Sequence, residues 1–90
     1  MTLWVRTIVV TALPSDAAPG IDGHREHLRA LRREGRLRVA GAFRHDDGFL
    51  DIFEARDLHE AEAIARSSPL VEQGLGAFTL REWRELEDAP

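Results

Sequence analysis

The run from His24 to Phe43, HREHLRALRREGRLRVAGAF, passes from one backbone period to another across a single glycine. At roughly 100° per residue, Ile21, His24, Leu28 and Leu31 fall within about a quarter-turn of one another, with Arg25, Arg29, Arg32 and Arg33 mostly on the other side. His24 sits in the middle of the apolar stripe and His27 at its edge. Gly35 stands where a helix C′ residue with positive φ belongs, and Arg36-Leu37-Arg38-Val39 then alternates with a period of two. The run therefore reads as an amphipathic helix, a stop and a strand.

The flanking segments extend that reading. Leu3 to Ala12 is rich in β-branched residues and closes at Pro14-Ser15-Asp16, which predicts a first strand. Ser15 to Gly20 reads as a loop, with Asp22 as N-cap of a helix over Ile21 to Glu34. A second strand is expected over Leu37 to Phe43. Its Ala40-Gly41-Ala42 core implies close approach by another backbone, a side chain or a ligand. Arg44 to Gly48 is a hairpin loop with an Asp-Gly turn signal, followed by a third strand, Phe49 to Ala55. Asp57 and Glu60 form a capping-box-like start for a helix over Leu58 to Ser67, which Pro69 ends. Leu70 to Gly74 is a turn or a single helical turn, Ala77 to Trp83 a fourth strand, and 85–90 an acidic, frayed tail.

The order β-α-β-β-α-β is the ferredoxin-like split motif, an α+β fold. Right-handed crossovers place both helices on one face of a four-stranded antiparallel sheet. Three of the four strands nevertheless carry apolar groups in both registers, among them Leu3, Val5 and Val9 against Trp4, Ile8 and Val10. A bare second face of that kind exceeds what soluble monomers usually expose, so a homodimer packed sheet against sheet is expected. Ninety residues form one domain, which buries only about 60% of its extended-chain surface, and no cysteine is present to brace it. A second copy is then the remaining inexpensive source of core.

Charge narrows the function classes. Twelve basic and sixteen acidic side chains are interspersed, with a formal charge of −4, which argues against nucleic acid as a partner. All twelve basic residues are arginine, so a lysine Schiff base is excluded. No apolar run approaches the roughly 18 residues of a membrane span and no leader is evident, which predicts a soluble, cytoplasmic protein.

His24 is the chief chemical lead, since an imidazole on an apolar stripe is either a satisfied core residue or a site residue. His24 and His27 at i, i+3 lack a third ligand at diagnostic spacing, so no metal is expected. Arg6 and Arg38 are embedded in strands, where either is a candidate to hold an anionic substrate. Trp4 and Trp83 are expected to supply core or dimer burial.

Three stretches resemble the YciI-like (YCII-related) family: His24 to Ala42, the Ser67-Ser68-Pro69-Leu70 ending of the second helix, and Phe78 to Trp83. His24, Gly35 and Leu37-Arg38-Val39-Ala40-Gly41 match the family spacing of a helix-opening histidine, a glycine and a Leu-x-x-Ala-Gly strand. The resemblance implies a dimeric α+β barrel, the architecture of muconolactone isomerase and of small cofactor-free monooxygenases. It also implies a site that pairs the histidine with an aspartate in an Asp-Pro step, as in a relative that dehydrochlorinates hydroxylated aromatics. Here the step is Ser68-Pro69. A serine orients an imidazole but supplies no charge, so His24 is expected to stay neutral near pH 7 unless Asp16, Asp22, Glu26 or Asp51 substitutes.

The resulting expectation is a cofactor-independent proton-transfer enzyme, of isomerase, cyclase or lyase type, acting on a compact cyclic or aromatic small molecule. His24 is its general acid/base and Ser68 the partner, with Arg6, Arg38, Ala40, Gly41 and Pro69 lining the substrate site. The alternatives are a non-catalytic dimeric ligand-binding or accessory module with a decayed site, and a cofactor-free monooxygenase-like protein.

Overall fold

The computed structural model describes residues 1–86, so 87–90 of the expected acidic tail lie outside the described residues. The elements are β1 (Thr2–Val10), α1 (Pro14–Arg33), β2 (Leu37–Ala42), β3 (Gly48–Ala55), α2 (Leu58–Arg66), the single turn α3 (Pro69–Glu72) and β4 (Gly76–Trp83). The strands form one antiparallel sheet in the order β2-β3-β1-β4. Each helical connection thus steps over one strand, and the fold is the expected ferredoxin-like α+β arrangement.

Alternation decides what each face carries. Trp4, Arg6 and Ile8 of β1 and Phe49, Asp51 and Phe53 of β3 are buried beneath the helices. Trp4, Phe53 and Ala55 pack with Ala61 of α2, while Ile8 and Phe49 pack with Leu70 of α3. The opposite register, Leu3, Val5, Thr7, Leu50 and Ile52, is only half-buried on the open face, where Val9 is 57% and Trp83 39% exposed.

Helix α1 begins well before the expected Ile21, because Pro14 occupies its first turn, where a missing N–H and a preset φ cost nothing. Leu13, not Asp22, is the N-cap, and its side chain caps nothing. Ser15 to Gly20 is therefore helix and not loop, despite Pro19 and the low helix propensity of Gly20 and Gly23. Tertiary packing overrides propensity there. A Cβ at Gly23 would lie 2.7 Å from Cγ of Pro69, and one at Gly20 would lie 2.6 Å from Cδ1 of Leu75. Glycine is what lets α1 settle directly onto α3.

The far end of α1 follows the sequence. Gly35 has φ +75°, its N–H donates to Arg32 O, and Arg36 N–H donates to Leu31 O, a Schellman pair. The same device recurs at Gly74, where Leu75 N–H returns to Leu70 O. Two details of β2 and its hairpin differ from expectation. A bulge at Arg38 breaks the alternation, so Leu37 faces Phe53 on the helix side while Val39 faces Ile52 on the open side. The positive φ of the hairpin falls on Asp46, and Gly48 is required instead because a Cβ there would meet Ile8 O at 2.7 Å.

Gly23→Ala is expected to lower stability by about 1–3 kcal/mol through overpacking against the rigid Pro69 ring, although alanine is the better helix former. Gly20→Ala is expected to cost less, because the end of the Leu75 side chain can turn away. Urea denaturation of the two variants beside the wild type checks the order.

Candidate functional site

A polar cluster is enclosed between the sheet and the helices. Register places Arg6 of β1 and Asp51 of β3 directly opposite each other, on the helix side. Arg6 Nε donates to Asp51 Oδ1 and Nη2 to Oδ2, both at 2.9 Å, and both side chains are fully buried. The remaining Arg6 nitrogen, Nη1, donates to Ala65 O at 3.2 Å and to Nε2 of His27 at 3.1 Å. A fork-on-fork pair of this kind is the strong form of carboxylate recognition. Burial pushes the Asp51 carboxyl upward, while the charge and hydrogen bonds of Arg6 pull against it.

His24 lies one helical turn before His27, and their rings stack at 5.9 Å between centroids. Phe49 closes another side, its ring centroid 5.0 Å from that of His24. Nδ1 of His24 is 2.8 Å from Oγ of Ser68, and Nε2 has no hydrogen-bond partner among the described residues. Ser68 is the N-cap of α3, yet its hydroxyl caps nothing and faces His24 instead. Ser67 takes the local role, its hydroxyl donating to Ile64 O at 2.8 Å.

Burial, then the positive field of Arg6, and then His27 hold His24 down to about 3. The same first two causes hold His27 at about 4. Both rings are thus neutral near pH 7. Among the described residues no carboxylate partners His24: Asp16 and Asp22 are exposed, Glu26 pairs with Arg29, and Asp51 is engaged by Arg6.

The residues singled out from sequence separate into two groups. Arg6, His24, Ser68 and Pro69 come together between the sheet and the helices, Pro69 through its contact with Gly23. Arg6 is committed to Asp51, His27 and Ala65, and it has no exposed surface. Arg38 is instead exposed and paired with Glu54 at 3.3 Å. Ala40 lies opposite Asp51, whereas Gly41 lies opposite Leu50 on the open side. Residues Val39 to Phe43 with Leu50 border a shallow depression of about 220 Å³ that does not include His24. Sequence reasoning missed the Arg6–Asp51–His27 linkage, although a signal existed: each charge occupies the otherwise apolar register of its strand. Among the described residues, no group of three or more His, Asp or Glu side chains is arranged to hold a metal ion.

For each histidine the folded pKa lies below the ordinary 6.5, so the unfolded chain binds the extra protons between those values. Stability is therefore fully present above about pH 6.5 and is lost as pH falls toward 4 and 3. The slope approaches about 1.4 kcal/mol per pH unit for each ring, offset in part by Asp51. Urea denaturation between about pH 7 and about pH 5 checks this, and His24→Asn should flatten the curve. Separately, Asp51→Asn is expected to cost about 3–5 kcal/mol, because it leaves the buried Arg6 charge uncompensated. Thermal or urea denaturation reads that loss.

Comparison with known proteins accords with the fold. The chain is 38% identical over 64 residues to the uncharacterized protein YjpA of Bacillus subtilis (strain 168), covering 71% of this chain and 75% of that one. In structure it resembles 5-chloro-2-hydroxyhydroquinone dehydrochlorinase from Burkholderia phenoliruptrix AC1100, solved in complex with 2,5-dihydroxybenzoquinone. The TM-score is 0.70 at 19% identity, over 92% of this chain and 96% of that one. It also resembles muconolactone isomerase, with a TM-score of 0.73 at 14% identity over 97% and 93% of the two chains. At such identities the likeness is one of fold. Residues 7–85 match the sequence profile of the YCII-related domain, and the chain belongs to the YCII-related domain family.

Proposed function

We propose that this protein is a cofactor-independent enzyme that moves a proton on a compact cyclic or aromatic metabolite, with His24 as general acid/base and Ser68 as its orienting partner. The observation that carries this reading is the enclosed His24 ring, anchored at Nδ1 and, among the described residues, without a partner at Nε2. Two tautomers satisfy the anchor. If His24 donates to Ser68 Oγ, Nε2 offers a lone pair and the serine hydrogen is free. If Ser68 donates to Nδ1, Nε2–H is free. Either way one buried donor is left for a ligand or a water molecule to satisfy, and leaving it bare costs about 1–3 kcal/mol.

A neutral ring with its Nε2 lone pair free is available as a base throughout the physiological range. Its low proton affinity suits an acidic substrate proton, such as that of a phenol or of a carbon beside a carbonyl. An anionic substrate beside the ring raises that affinity on binding. The dehydrochlorinase named above acts on a hydroxylated, chlorinated ring, and this chain shares its fold. Hydroxylated quinols and small lactones are accordingly the first substrates to test.

The open sheet face supports a homodimer, because Val5, Leu50, Ile52 and Trp83, flanked by Arg81 and Glu82, border a mainly apolar groove of about 410 Å³ there. Ile52→Asp is expected to give monomers in sedimentation velocity where the wild type gives dimers.

One observation favours a second reading, a non-catalytic dimeric binding module: the His24 ring has no exposed surface and, among the described residues, no carboxylate partner. Two variants separate the readings. Against a panel of chlorinated hydroxyquinols and lactones, His24→Ala is expected to lower turnover by about 10²–10⁴-fold. Ser68→Asp is expected to raise both the histidine pKa and the rate. Turnover indifferent to His24→Ala, or a Ser68→Asp variant with no response, would favour the module.

A further inference from the structure

Resting on the His24 site just proposed, a second histidine and a buried arginine acquire a role beyond it. Asp51, Arg6, His27, His24 and Ser68 form one contiguous chain of contacts, drawn from β3, β1, α1 and the N-cap of α3. Its central link has a fixed direction. A guanidinium has no lone pair to offer, so at 3.1 Å the Arg6 Nη1–H must donate and His27 Nε2 must accept. The His27 proton then resides on Nδ1. Asp51 in turn prevents Arg6 from turning away, since it holds both Nε and Nη2 at 2.9 Å.

We infer that Arg6 is a positioning residue of the His24 site: held by Asp51, it fixes His27 as the Nδ1–H tautomer, and the His27 ring so pinned stacks on His24 and sets the plane in which His24 Nε2 meets a ligand. Neither partner of the ion pair touches the reacting atoms. Their effect passes through the His27 ring, whose plane lies 28° from that of His24. Phe49 on another side and Ser68 at Nδ1 complete a frame that leaves the imidazole little freedom to rotate. Among the described residues no carboxylate partners the His24 ring, and an arginine acting through a second imidazole restores a defined orientation.

The test uses the free protein and no substrate, so its failure is distinct from failure of the enzymatic reading, which His24→Ala decides by turnover. Two-bond ¹H–¹⁵N correlation spectra of ¹⁵N-labelled protein near pH 7 identify the tautomer of each imidazole. The wild type is expected to show His27 with a protonated Nδ1 and a bare Nε2. Breaking the pair by Arg6→Met alone risks unfolding, so the companion variant carries Arg6→Met with Asp51→Leu, which replaces both charges by apolar groups of similar size. In that double variant His27 is expected to shift toward Nε2–H, and the His24 ring resonances are expected to move with it. His27 found as Nε2–H or as imidazolium in the wild type would overturn the inference. So would His24 resonances unchanged in the folded double variant.

Discussion

A buried guanidinium–carboxylate pair between the two central strands is the contact on which the arrangement around it depends. Arg6 and Asp51 meet only if β1 and β3 pair in one register, because a slip by one residue would turn one of the two charges to the open face and leave the other buried alone. Isolated, either charge would be too costly to bury; together they satisfy most of each other's hydrogen-bonding needs. The pair therefore favours one alignment of the sheet over its neighbours. It also places a permanent positive charge under α1, and that charge, after burial, is the main reason both histidines above it are neutral.

The second constraint is steric. Two glycines on α1 lie where any side chain would strike α3, so the helix descends far enough for His24 to reach Ser68 across an otherwise apolar contact. Pro69 contributes twice, once as the rigid surface that Gly23 meets and once as the residue that starts α3 and so aims Ser68 at the imidazole. Helix propensity alone would have begun α1 near Ile21. Burial of Ala17 and Gly20 makes the added turns worthwhile.

Set against the Asp-Pro step that the family resemblance implies, Ser68 changes the electrostatics around His24. The hydroxyl occupies a position within hydrogen-bond reach of Nδ1, so the ring is still oriented. Among the described residues no negative charge is placed to favour the imidazolium, and the charge that acts on the ring, on Arg6, has the opposite sign. The chemistry proposed for His24 is accordingly that of a neutral base whose proton affinity a bound anion must raise, rather than that of a carboxylate-backed imidazole.

Much of this molecule is legible in its sequence because the relevant signals are local. Period-two and helical patterns marked the four strands and α2, and Gly35 marked the end of α1, since only a residue tolerant of positive φ suits that position. His24 stood out on an apolar stripe, and Ser68 through the family spacing. The rest was decided by contacts remote in the chain. The start of α1 depended on α3, some fifty residues later, and the bulge at Arg38 depended on pairing with β3. The bond between Arg6 and Asp51 spans 45 positions, and the contact between His24 and Ser68 spans 44. The chain alone could nominate charges in apolar registers, but only the packed sheet determines which carboxylate meets which cation. Asp51 was thereby taken by Arg6, and His24 was left to Ser68.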